Sequence, residues 1–335
     1  TALALPLLLA LYLILPKLEL PASAATYPWW YDSMYFLSIL PLSLHLTALF
    51  PADSLLVFLT ISVGSAAFFT LLCRKLGTKF EVFPLELPFS TMALIILADL
   101  LTGNHLVQNS IFGYDPMAGA RYYGLGNEGA GLFLGALAAL LVLQSPAKSR
   151  FRTRFFFAAY LGSALLLATP FTGANFGAAL SAVACTLTLS FAGRKSSRPA
   201  HQLPRYLFYL TLFALLFLGF DYLRGDLEHQ THFGLLLKNL RARGPSAVTE
   251  VVLRKLQVNL RLLSSKWALL FASSLITLLV TYLHRKKHFA HLPLSVALSG
   301  GLAGLLLNDS GLVFSALYFY LSATALLLKA ATLEP

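Results

Sequence analysis

Eleven mostly apolar runs divide this chain, and their length decides what environment a helix built from them can occupy. They cover residues 2–16, 34–50, 54–73, 82–101, 127–144, 155–170, 171–192, 206–222, 267–283, 292–307 and 308–328. A helix that crosses a hydrocarbon core needs about 20 apolar residues, with a range of roughly 17–25. The first run is short and reads as the end of a longer helix. Runs 155–170 and 171–192 read equally well as one broken element. Strands of a membrane barrel alternate apolar and polar residues, and these runs do not. Lipid offers no partners to free backbone groups, so helices remain. The sequence predicts an all-α, polytopic integral membrane helical bundle, a single transmembrane domain over 1–335 with ten or eleven transmembrane helices.

Composition agrees. Of 335 residues 57% are hydrophobic and 12% charged, against about 25% charged in soluble proteins. Mean hydropathy is +0.72. A soluble enzyme, a secreted disulfide scaffold and a disordered chain are excluded on these grounds. The two cysteines, Cys73 and Cys185, both lie in apolar runs, which supports neither a disulfide framework nor a cysteine metal site. Residue 1 is Thr, so an upstream piece is expected.

Net charge is +11, from 25 Lys and Arg against 14 Asp and Glu. In a membrane protein such an excess gathers in cytoplasmic loops and does not imply nucleic acid as a partner. Arg74, Lys75 and Lys79 follow the third run, and Lys148, Arg150, Arg152 and Arg154 the fifth. Arg194, Lys195, Arg198 and Arg205 follow the seventh, Arg285 to Lys287 the ninth, and Lys329 ends the last. Every second loop is basic, so these loops are expected inside and the other set outside. Loop 223–266 breaks the rule, with Arg224, Lys238, Arg241, Arg243, Arg254, Lys255, Arg261 and Lys266 on the outer side. A miscount, a loop too long for the rule, or a task such as holding an anionic head group each accounts for it.

The outer set carries the polar chemistry. The string 102–128 contains His105, Asp115, Arg121, Tyr122, Tyr123, Asn127 and Glu128. Asn127 with Glu128 fits a helix cap followed by a first-turn carboxylate. It fits equally a polar cavity in which Arg121 and Glu128 face a ligand. The string 169–177, Thr-Pro-Phe-Thr-Gly-Ala-Asn-Phe-Gly, breaks a helix and puts Asn175 where a new one starts. A helical hairpin capped by Asn175 is the plainer reading, and an anion site on the freed N–H groups the sharper one. Asn308, Asp309 and Ser310 form a near-absent turn between the last two runs and are good capping residues. Asp309 is expected close to hydrocarbon, where it needs a partner, so Arg121 is expected to meet Asp309 or Glu128. Asp99, at the end of the fourth run, reads as a local cap or as a proton-coupling carboxylate.

After the eighth run come Asp221, Arg224, Asp226, Glu228, His229 and His232. A lone His-x-x-His pair does not specify a metal. No metal or cofactor is assigned, and His232 is read as a general base or a phosphate contact. Within the extramembrane loop 223–266, Val248, Val252, Leu256, Leu260 and Leu263 recur at helical spacing over 247–263. This predicts one interfacial amphipathic helix.

The strings GYDPMAGARYYGLGNE, THFG, RKLQVNLRLL and NDSG together resemble a family of polytopic bacterial membrane proteins with no established activity, over about residues 82–328. That family tends to carry Tyr or Phe after its Asn-Glu, where this chain has Gly129. The resemblance implies a multi-pass protein of the bacterial inner membrane and nothing about chemistry. No phosphate-binding loop, nucleophile elbow or dinucleotide fingerprint is present.

Two function classes remain. One is a membrane-embedded transferase or hydrolase acting on a lipid-linked glycan or phosphate, for instance a polyprenyl-phosphate-linked substrate. Glu128, Asp309 and His232 are then the catalytic candidates. Arg121, Asn127, Asn175 and Asn308 are the substrate-binding ones, and membrane lipids the partners. The other is a transporter or flippase for an anionic lipid or solute, supported by the broken helix and by Asp99 and Asp309 as coupling carboxylates. A scaffold subunit is the blander third class. Crowding of polar groups on one side favours the enzyme.

Overall fold

The computed structural model describes residues 3–14, 28–50, 53–80, 85–113, 124–144, 149–191, 199–223, 242–244 and 246–333. Among them are thirteen α-helices and no strand. In chain order these are α1 (Ala4–Ile14), α2 (Pro28–Leu46), α3 (Leu55–Phe80), α4 (Leu87–Thr102), α5 (His105–Asn109), α6 (Asn127–Leu143) and α7 (Arg150–Ala168). There follow α8 (Phe176–Phe191), α9 (Pro199–Leu223), α10 (Ser246–Leu262), α11 (Lys266–His284), α12 (His291–Leu307) and α13 (Gly311–Thr332). Each of the eleven apolar runs coincides with one helix, and α5 and α10 are the additional two. By length and composition three segments are long and apolar enough to cross a membrane: Leu55–Lys75, Lys266–His284 and Gly311–Thr332. The shorter apolar helices include α4, α6, α8 and α12.

The core is built around α13. All of its long apolar window is buried, whereas the window in α3 is 17% buried. α13 packs on α6, α11, α12 and α2, and α8 packs on α12 and α7. Runs 155–170 and 171–192 are therefore two helices, α7 and α8, folded into a hairpin through the turn 169–175.

The closest pairing, α6 with α13, follows from glycine. A Cβ on Gly131 would lie 2.5 Å from the Phe314 carbonyl oxygen, and one on Gly135 2.9 Å from Tyr318 Cα. Two glycines four apart thus let two backbones touch, as small residues do at lipid-embedded interfaces. The two helices run parallel and are pinned at both ends. Asn127 Nδ2 donates to Ser310 Oγ at 2.6 Å where both begin. Where both end, Lys329 Nζ donates to the Leu143 carbonyl. On α12, Gly301 and Gly304 receive the rings of Phe319 and Phe314.

These contacts give the bundle two chemically different ends. One holds Lys329 on Leu143, Arg152 donating to the Gln144 carbonyl at 3.0 Å, and Arg74 paired with Asp32 at 2.6 Å. The other gathers the starts of α6, α8 and α13 with the ends of α4, α7 and α12.

Candidate functional site at the polar end

Three of the polar strings meet at this second end. Asn175 stands just before α8, and its Oδ1 accepts the Ala178 N–H at 3.0 Å, an N-cap bond. Its Nδ2 donates to Asn127 Oδ1 at 3.0 Å and to the Leu125 carbonyl at 3.1 Å. Asn127 completes the link through Ser310. Both asparagines are buried. The backbone knits the same strands of chain, with Leu125 N–H on the Gly173 carbonyl at 2.7 Å. Gly124 has φ +83°, and a Cβ there would lie 2.5 Å from the Gly173 oxygen, so glycine is required on both counts.

Asn127 is not the cap of α6. That position is Gly126, without a side-chain bond, and the Asn127 amide reaches across to two other segments instead. Glu128 does sit in the first turn of α6 and is half-buried. No side chain of another described residue forms an ion pair with it.

The turn between α12 and α13 departs further from expectation. Ser310, before α13, makes no capping bond. The Leu312 N–H instead donates to Asn259 Oδ1 of α10 at 2.9 Å, so the cap comes from another helix. Asn308 is buried and turns back, its Nδ2 donating to the Gly304 carbonyl at 3.2 Å. The Asp309 side chain is 52% exposed and pairs with Lys255 Nζ at 3.3 Å. Lys255 also donates to the Leu307 carbonyl at 2.7 Å. Asp309 is therefore on the surface of the bundle and has a basic partner other than Arg121. A residue more than fifty positions upstream supplies the charge, which no local pattern announces.

Asp99 is a cap. Its two carboxylate oxygens accept the Leu106 and Val107 N–H groups, each at 2.8 Å, closing the start of α5. Asn104, with φ +62°, donates to the Thr172 carbonyl at 2.9 Å and ties this corner to the α7–α8 turn. Asn104, Lys255 and Asn259 were not singled out by the sequence as members of this assembly. His45, at the end of α2, is also buried, and its two ring nitrogens make no hydrogen bond among the described residues. Arg121, His232, Asp115, Tyr122, Tyr123, His229 and Asp226 lie outside the described residues. Among the described residues no three His, Cys, Asp or Glu side chains form a metal-sized cluster.

The arrangement divides its own chemistry. The Asn127 and Asn175 amides and the Asn308 Nδ2 are committed to protein groups, so they position helices. Among the described residues Glu128 forms no ion pair, whereas Asp99 accepts two backbone N–H groups and Asp309 pairs with Lys255. No known protein family matches this chain, and no curated protein or solved structure does.

Proposed function

We propose that this chain is a multi-pass protein of a bacterial inner membrane whose polar end opens to the outer face and acts on a lipid-linked glycan or phosphate. Ten or eleven helices cross the bilayer, and α10 lies at the interface. Glu128 is the general base toward an acceptor hydroxyl, and Arg121, seven residues upstream, holds phosphate oxygens with its planar fork. One observation carries this reading. At the end of the bundle opposite the Arg152 and Lys329 contacts, a rigid knot of buried amides presents the half-buried Glu128 carboxylate at the start of α6. The commitment of Asp99 to capping α5 removes one of the coupling carboxylates that favoured a transporter.

Sidedness is tested by labelling intact cells with a membrane-impermeant maleimide. Asp309→Cys is expected to react and Lys286→Cys to react only after permeabilisation; the reverse pattern ends the outer-face reading. Chemistry is tested with purified Arg121→Lys and Glu128→Gln in nanodiscs supplied with a polyprenyl-phosphate-linked sugar. Arg121→Lys is expected to lose lipid retention, because Lys lacks the fork. Glu128→Gln is expected to keep lipid and lose turnover. Retained lipid in the first variant and retained turnover in the second would overturn the assignment.

A further inference from the structure

The circumference of α10 is divided into three sectors. Ala247, Val251, Lys255, Val258, Asn259 and Leu262 face the protein and are buried or half-buried. Next round the helix come Val252, Leu256 and Leu260, exposed by 57%, 54% and 55%, with Val248 and Leu263 beside them. The remaining arc holds Glu250, Arg254, Gln257 and Arg261, all exposed, with Leu253 at its border with the apolar arc and Thr249 within that arc. At 3.6 residues per turn, Arg254 and Arg261 stack on one line. A helix lying free in water would not leave its apolar arc uncovered, whereas one lying beside a bundle at a water–lipid boundary needs these three faces in this order.

We propose that the apolar and basic arcs of α10 form a docking surface for the headgroup layer of an anionic leaflet. This rests on the membrane reading above. Two further observations select lipid over another protein. Only Leu263, Ser264 and Ser265 separate α10 from α11, which is one of the three segments long and apolar enough to cross a membrane. Three residues reach about 10 Å at most, so α10 is held at the mouth of that crossing. The charge is also net positive. Arg254 and Arg261 line the outer arc, Lys266 and Arg243 flank the helix, and the arc's acid, Glu250, pairs with Arg243 at 3.6 Å. On this proposal the basic charges of loop 223–266 have a task on the outer side, the holding of anionic head groups. Its described part sits at the polar end, with Lys255 on the α12–α13 turn and its arginines turned outward.

The test uses the whole protein in nanodiscs, with a fluorophore on a single introduced cysteine and brominated lipids as quenchers. Cys73 and Cys185 are replaced by Ala in the background. Leu59→Cys, on the exposed face of α3, reports the membrane reading itself. Leu256→Cys reports α10. Quenching is expected at both sites, strongest at 59 from mid-chain bromines and at 256 from bromines near the headgroup, since interfacial helices sit only about 5–10 Å deep. Quenching at 59 without quenching at 256 overturns the inference and leaves the membrane reading standing. Absence at 59 removes both. Exchange of phosphatidylcholine for phosphatidylglycerol is expected to strengthen quenching at 256, and Arg254→Gln with Arg261→Gln to cancel that gain. Each basic residue near an anionic surface is worth about fivefold in partitioning. Equal quenching in both lipids, or crosslinking of 256 to its counterpart in a second copy, overturns the anionic-leaflet assignment.

Discussion

Asn175 does three tasks with one amide: it caps α8, holds Asn127 and occupies the Leu125 carbonyl. These tasks separate by substitution. Asn175→Ser keeps a capping oxygen but gives up the two donor bonds, which leaves buried acceptors unpaired. The expected loss is about 1–3 kcal/mol. Asn175→Ala also removes the cap and is expected to cost about 1 kcal/mol more. Thermal melts in detergent read both, and identical melting of Ser and Ala variants would show that the cap contributes nothing. Asp309 behaves differently because its pair with Lys255 is half-exposed. Asp309→Asn is expected to cost under about 1 kcal/mol. If turnover of the polyprenyl-linked substrate survives that change, Asp309 is removed from the catalytic candidates.

At the level of elements, the apolar runs and the helices correspond closely because run length and periodicity are local properties. Run 292–307 and α12 (His291–Leu307) differ by one residue at one end. The cap on α8 was legible too, since Asn before an apolar run is a local signal. The cap on α13 was not. Asn-Asp-Ser offers three capping side chains, yet Asn259 from α10 takes the bond, because that helix crosses the turn in three dimensions. The pairing of α6 with α13 left a readable trace in Gly131 and Gly135, four apart in an apolar run, whose meaning depends on which helix lies opposite. The glycines yield a sharp contrast. Gly131→Ala and Gly135→Ala drive a methyl into Phe314 and Tyr318 backbone atoms, with an expected cost of about 1–3 kcal/mol or more. Gly64→Ala meets nothing within 4 Å and is expected to be neutral or stabilising by a few tenths of a kcal/mol up to about 1. Equal melting temperatures across the three variants would refute the close contact.

Across the whole molecule, one helix is the surface on which the others are laid. α13 touches α2, α6, α11 and α12 and has almost no residue left outside, while α3 and α10 keep broad apolar faces uncovered. A chain ending at residue 307 is therefore expected to retain its other helices but not their arrangement, and to be degraded several times faster in a pulse-chase. Co-expression of a separate 308–335 peptide is expected to restore its lifetime, because the peptide returns the surface on which α2, α6, α11 and α12 pack. No rescue, with both fragments inserted, would mean that its place in the bundle does not form without it. The order of synthesis gives this feature its consequence. α13 leaves the ribosome after the described helices it packs against, so their shared core is filled by a late arrival and not grown outward from an early one. Until then Gly131 and Gly135 face a vacancy and Asn259 has nothing to cap. For the cell this creates an interval in which the described helices stand with their shared face open, and the placement of a single helix closes it.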